Sequence, residues 1–324
     1  MENEIPKTEK NIYNYETTST LYNIAFQKSQ KCRLAIGSLV QNSNNYIEIL
    51  EMTENDLKKV YKENLEYPTT KLIWGPTDLK NSLLASSSDY IRLFYFDEND
   101  STLKLCSSLV NKKSKYSGPL TSFDWNKVNE SILGTASLDT TCTIWDLNKS
   151  TIRTQLIAHD KEVYDISFTT NDNIFISSGA DGSVRLFDLR SLKHSTIIYE
   201  TKDGWPITKI SWNLLNNNLI AALSLEKNLV YIFDTRKANV SLVELKLHKM
   251  PVTGMVWSPN LPSQICSVSE DKNVIISNVQ NEENNTNNNV CYTAPNEINN
   301  VNWCESLPEW IGITFKKNVQ LLRK

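Results

Sequence analysis

Few residues in this chain are equipped to do chemistry. Among its 324 residues only three are histidine, at His159, His194 and His248. His159 stands nine residues before Phe168 and His248 nine before Trp257. Each is followed by an aspartate in a polar turn, Asp181 and Asp271, and Asp89 and Asp139 occupy the matching turns of other units. A histidine beside an aspartate supplies two of the three parts of a hydrolytic triad, but neither pair comes with an identifiable nucleophile and oxyanion site. The histidines fall in different units, without clustered carboxylate–histidine spacing, so no zinc site is expected. No GxxxxGK phosphate loop occurs. The lysine runs lack the interleaved aromatic residues of a nucleic-acid platform. This inventory predicts no catalytic residue, no metal and no cofactor, and an enzyme is the rival reading of a different class.

The elements that must position these groups are organised by repetition. An aromatic residue closes a short apolar strand at Phe26, Trp74, Trp125, Phe168, Trp212, Trp257 and Trp303, at gaps of 48, 51, 43, 44, 45 and 46 residues. A second apolar stretch follows each marker (ILGTAS, IFISSG, LIAALS), then a turn and a third (CTIWDL, VRLFDL, LVYIFD), with a weaker outer strand such as TIIYE at 196–200. A four-stranded sheet that is apolar on both faces cannot cover either face alone, whereas sheets stacked around an axis cover each other. Even spacing in the forties therefore predicts an all-β, seven-bladed propeller occupying 1–324 as one domain. A sandwich or barrel does not require seven markers at nearly constant spacing. The last unit has only three strands, WIGITF and VQLL after the one ending at Trp303, and IYNYE at 12–16 is the right size to supply the fourth. Pairing of the two termini would close the ring and hide sheet edges. Residues 41–67 read either as a long outer-strand connection or as a short helix. Residues 97–118 form a second long connection with the basic run NKKSK, and the Asn-rich stretch 280–290 reads as a loop with too little apolar area to order itself.

The turn-plus-strand units SLDTTCTIWDLN and GADGSVRLFDLR place Asp139 six residues before Trp145 and Asp181 six before Phe187. They resemble a WD40 repeat, an assignment that implies a structural network in each blade. The turn aspartate holds the backbone amides of its turn. A histidine on the loop entering the inner strand meets that aspartate, giving the pairs His159–Asp181 and His248–Asp271, and a Ser or Thr and a Trp complete the set. Ser178 is the hydroxyl expected in the first pair's blade, where Phe187 replaces the Trp. Ser277 stands at the Trp position of the later blade. Only the Asp139 blade keeps its Trp, Trp145, and there Tyr116 occupies the histidine position.

FDLR (187–190) and FDTR (233–236) end the third strands of consecutive blades. Asp188 and Arg190, like Asp234 and Arg236, lie two apart and so on one side of the strand. A lone D-x-R is weak evidence, because such pairs often clamp local backbone; its repetition in adjacent blades makes docking an equal reading, which arginine's planar fork suits. Trp205, in the turn TKDGWP, is either an exposed contact residue or a connector aromatic packed on its own blade.

The strings ILGTASLDTTCTIWDL, TQLIAHDKEVYDISF, GADGSVRLFDLRSLKHSTIIYE and YTAPNEINNVNW look like the WD40 proteins of the Transparent Testa Glabra or anthocyanin regulator family, and equally like its animal homologue, a cullin-four-associated factor. The resemblance runs from IYNYE to VQLL. It implies a non-enzymatic scaffold or adaptor whose partners are proteins: protein kinases, transcription regulators, or the large propeller adaptor of a cullin-four ubiquitin ligase, for which the chain would be a substrate receptor. In that last role Asp188/Arg190 and Asp234/Arg236 would be the contacts. The resemblance fits a monomeric propeller working inside larger complexes.

A net charge of −3 with 22% charged residues gives no electrostatic drive toward phosphate backbones. The six cysteines (Cys32, Cys106, Cys142, Cys266, Cys291, Cys304) form no CxxC pair, and a chain this large needs no disulfides, which points to a reducing compartment. The sequence MENEIPKTEKNIYNYE has no apolar signal core, and no run approaches the ~20 apolar residues of a membrane span. Cytoplasm and nucleus are the expected locations.

Overall fold

In the computed structural model, which describes residues 11–29, 31–41, 44–75, 82–111, 118–237, 240–280 and 290–324, the chain forms seven antiparallel sheets of four strands each. The inner strands are Leu21–Phe26, Lys71–Trp74, Leu120–Trp125, Val163–Phe168, Ile207–Trp212, Val252–Trp257 and Asn300–Trp303, which define blades 1 to 7. Each ends on one of the aromatic markers. In blades 1 to 6 the four strands follow in chain order from the inside outward. Blade 7 takes its outer strand, Ile12–Glu16, from the start of the chain, paired with Asn318–Arg323 in the register Ile12↔Leu322 to Glu16↔Asn318. The fold is the seven-bladed all-β propeller, closed by its two termini.

Residues 41–67 contain no helix among those described. Asn45–Met52 is the third strand of blade 1 and Leu57–Leu65 its outer strand. Likewise Thr102–Leu109, in the second long connection, is the outer strand of blade 2. The Asn-rich stretch at 281–289, most of the NKKSK run and Tyr116 lie outside the described residues.

The core lies between blades, because each sheet covers its neighbour's face. Ile132, Cys142 and Ile144 of blade 3 pack on Ile166, Phe168 and Phe175 of blade 4, and Tyr13 and Trp310 of blade 7 pack with Leu34 and Leu50 of blade 1. Cys142 and Cys266 are fully buried, consistent with a thiol used as a small apolar group, and burial pushes the Cys142 thiol up to about 12. Antiparallel order puts the turns between second and third strands, with the connections between blades, on one face. Turns between first and second and between third and outer strands lie on the opposite face. Asp139, Asp181 and Asp271 thus share one face, and both Asp–Arg boxes sit on the other.

Candidate functional site: the buried networks, the channel ring and the Asp–Arg face

The two histidine–aspartate pairs form inside their blades. In blade 4 the His159 Nδ1 lies 2.9 Å from Asp181 Oδ1 and the Nε2 lies 2.8 Å from Ser177 Oγ. A carboxylate only accepts, so Nδ1 carries the proton and Nε2 accepts from the serine hydroxyl. In blade 6 His248 stands the same way, 3.1 Å from Asp271 Oδ2 and 2.9 Å from Ser267 Oγ. Both imidazoles are buried and both ring nitrogens are engaged, which leaves no lone pair to act on a substrate. Gly179 is required by this packing: a Cβ there would sit 2.9 Å from the His159 ring.

One expected member is displaced by a residue. Ser177, not Ser178, serves His159, because neighbouring residues of a strand point to opposite faces. The Ser178 hydroxyl is buried without a hydrogen-bond partner. Phe187, at the Trp position, stacks on Phe175 with ring centroids 5.0 Å apart. The Ser277 hydroxyl, at the same position of blade 6, is likewise unpartnered. In blade 3 Trp145 Nε1 donates to Thr135 Oγ1 at 3.2 Å, and Asp139 accepts from the Thr141 amide and hydroxyl at 3.1 and 2.6 Å. Asp89 only meets Ser88 and Arg92 at the surface.

Burial pushes the Asp181 carboxyl up, yet the hydrogen bond from His159 and the donors of Ser183 outweigh it and hold Asp181 well below the usual carboxylate range. For Asp271 burial is likewise outweighed, by the amides of Lys249 and Asn273 and by His248. Burial holds His248 below its ordinary value against the opposing pull of Asp271. All three shifts favour the folded state at higher pH. The His248 contribution is complete above about pH 6.5 and is lost as pH falls through its lowered value. Those of Asp181 and Asp271 are complete above about pH 4 and are lost on further acidification. Urea midpoints are therefore expected to fall in two windows, and His248→Gln to remove the upper window only. Asp181→Ala should cost about 1–3 kcal/mol, and Asp89→Ala, at an exposed site, no more than about 0.5 kcal/mol, by the same denaturation measurement.

The sequence reading missed a second network. It uses the residues three before each marker: Asn23, Lys71, Ser122, Asp165, Lys209 and Asn300, with Gly254 in blade 6. Asn23 donates to the Thr69 carbonyl at 2.6 Å, joining blade 1 to blade 2. Lys71 reaches Ser122 at 3.0 Å and Asp165 at 3.2 Å, and Ser122 donates to Asp165 at 2.5 Å. Asp165 accepts the Ile210 amide of blade 5 at 2.9 Å. Lys209 donates to the Thr253 carbonyl of blade 6 at 2.8 Å, Thr253 Oγ1 to the Ile298 carbonyl at 2.6 Å, and Asn300 to the Tyr22 carbonyl of blade 1 at 3.1 Å. The bonds run unbroken around the ring and line a central channel of about 390 Å³. Each joins polar groups that apolar sheet packing would leave unsatisfied.

On the opposite face the two boxes have the same geometry. Arg190 donates to Asp188 through Nε at 2.9 Å and Nη2 at 2.6 Å, and Arg236 to Asp234 at 2.9 and 2.6 Å. The arginine side chains are 63% and 69% exposed and their aspartates 28% and 5%. The arginine hydrogen bonds hold each carboxyl at about 2. Each guanidinium is fixed in one orientation by a local clamp and still has donors directed outward, so the clamp and docking readings are compatible. Trp205 is 37% exposed on the histidine-network face, with Lys227 Nζ 4.2 Å from its ring centroid. Among the described residues no group of three His, Cys, Asp or Glu side chains is placed to hold a metal, and no helix is long and apolar enough to cross a membrane. His159 and His248 are thus committed to buried serine and aspartate inside their own blades.

Comparison with known proteins agrees with this architecture. Residues 150–188 match the WD domain, G-beta repeat family. The chain is 39% identical to the DDB1- and CUL4-associated factor 7 homolog of Dictyostelium discoideum, over 97% of this chain and 99% of that protein. It is 38% identical to an uncharacterised WD repeat-containing protein of Schizosaccharomyces pombe, over 74% of this chain and 62% of that one. A WD repeat-containing protein of Saccharomyces cerevisiae is 34% identical, with 75% and 53% covered. These matches favour the cullin-four-associated side of the resemblance and do not single out the anthocyanin regulators. The chain belongs to the DDB1- and CUL4-associated factor 7 family of WD40 propellers.

Proposed function

We propose that this propeller is a protein–protein adaptor that docks on the large propeller subunit of a cullin-four-type ubiquitin ligase and presents substrates to it. The observation that carries this reading is the pair of boxes: two exposed, pre-oriented guanidinium groups on neighbouring blades, at Arg190 and Arg236. Orientation is set on folding, so docking them costs less side-chain entropy than ordering free arginines. The near full-length relative named for association with DDB1 and CUL4 supports the choice of partner. With both carboxyls held at about 2, the boxes keep their charge throughout the physiological range.

Affinity purification of the tagged chain from its own cells tests the assignment. Ligase adaptor and cullin subunits are expected among the recovered proteins, and the double variant Arg190→Glu, Arg236→Glu should lose them. That variant should keep a single cooperative melt while losing some stability, because its new carboxylates face Asp188 and the largely buried Asp234. Recovery of kinases or transcription regulators with no ligase subunit would contradict it.

A further inference from the structure

The face that bears the boxes also carries a cleft between blades 2 and 3, with a volume of about 710 Å³. Leu83, Leu93, Trp125 and Leu147 line it, and Val128 stands at it 57% exposed. Two carboxylates line it as well, Glu130 and Asp172, and no lysine or arginine does. Among the described residues Glu130 makes no ion pair, and the Asp172 side chain accepts only from neighbouring Asn173. The Leu189 amide, between Asp188 and Arg190, donates to the Asn173 carbonyl at 2.8 Å, which places the Asp172 side of the cleft beside the first box. The arrangement is built from the chain itself. The Trp125 indole is fixed by donating to the Glu130 carbonyl at 2.7 Å, and Asn126 Nδ2 ties the turn to the Asp172 carbonyl at 2.9 Å.

We infer that this cleft binds a short peptide segment in which large apolar side chains are flanked by lysine or arginine. The apolar lining would cover the side chains, and apolar concavities of this size are suited to a few side chains rather than a folded domain. The Glu130 carboxylate, which has no cation paired to it, selects the flanks, since a basic group beside it gains attraction whereas an acidic one is repelled. This inference does not rest on docking to a ligase. The two can fail separately, because the test below contains no ligase component.

Cys106 lines the cleft and is exposed, and Cys291, also exposed, belongs to blade 6. Alkylation by iodoacetamide, followed by mass spectrometry of both sites, reports occupancy on the intact chain. The probes are the capped pentapeptides Arg-Leu-Leu-Phe-Arg and Glu-Leu-Leu-Phe-Glu. The basic peptide is expected to slow Cys106 alkylation about tenfold at about ten times its Kd and to leave Cys291 unchanged, as one-site occupancy requires. The acidic peptide should not protect, and Glu130→Lys should abolish protection by the basic one. If that variant does not fold, Val128→Lys, at an exposed position, is expected to weaken the basic peptide's protection by placing a like charge on the apolar lip. Equal protection by both peptides, or by neither, overturns the inference. So does Cys106 protection that rises with protein concentration in the absence of peptide, which would identify a second copy of the chain as the occupant.

Discussion

A chain lacking residues 1–17 is expected to lose its single sharp melting transition and to unfold over a broad range. The outer strand of blade 7 comes only from this segment, and its loss would leave Asn318–Arg323 as a bare edge. Such an edge offers unpaired amides and carbonyls to another chain, so aggregation should accompany the loss of cooperativity. Tyr13 shows why the strand is more than a cover. It is 5% exposed, its ring lies 5.4 Å from Trp310, and its hydroxyl donates to the Glu54 carbonyl of blade 1 at 3.0 Å. The segment therefore seals blade 7 and also attaches it to blade 1. Tyr13→Ala keeps the chain intact and should cost about 3–5 kcal/mol, by analogy with other buried aromatic truncations. Circular dichroism melts of both proteins check this, and a truncated chain with an unchanged, sharp transition would contradict the closure.

The second large effect is expected at Asp165. Its carboxylate accepts from the Ile166 and Ile210 amides, both at 2.9 Å, from Ser122 and from Lys71, so it holds blades 2, 3, 4 and 5 to one point on the channel wall. Asp165→Ala would leave a buried amide without an acceptor and the Lys71 ammonium without its counter-charge. Removing one partner of a buried charged network costs about 3–5 kcal/mol, to be read from urea denaturation. Asp165→Asn retains one oxygen acceptor and should cost less. Lys71 is about one-third exposed, so Lys71→Met should be milder than either. An Asp165→Ala protein as stable as wild type would show that the ring is incidental.

Sequence alone placed the repeat, because the aromatic marker of each unit is a large buried residue that ends an inner strand, and such residues leave a periodic trace. It did not place the outer strands of blades 1 and 2. LKKVYKENL is half-solvated, and its lysines and its glutamate suit an exposed strand and an exposed helix equally well, so only pairing with Asn45–Met52 decides. The hydroxyl of the His159 network was misplaced by one position in SSG, where two adjacent serines differ only in the face they occupy. The channel ring was hidden for another reason: its members are Asn, Lys, Ser, Asp, Lys, Gly and Asn. Nothing in residue type unites them, and what they share is a distance of three from the marker, just past a β-bulge in blades 1, 3, 4, 5 and 6. The Asp–Arg boxes were legible as a repeated spacing, and the structure adds that each arginine is oriented by its own aspartate while staying exposed.

The central claim is that the folded propeller acts through a rigid face anchored by Arg190 and Arg236. Calorimetric titration of the purified chain into the purified large propeller subunit of a cullin-four ligase tests it most directly. The account predicts measurable binding by wild type and, on reversing both charges, a loss of at least about 3 kcal/mol, or roughly a hundredfold in Kd, as expected when buried interfacial charge pairs are broken. An unchanged Kd for a doubly reversed protein that still melts cooperatively would contradict it.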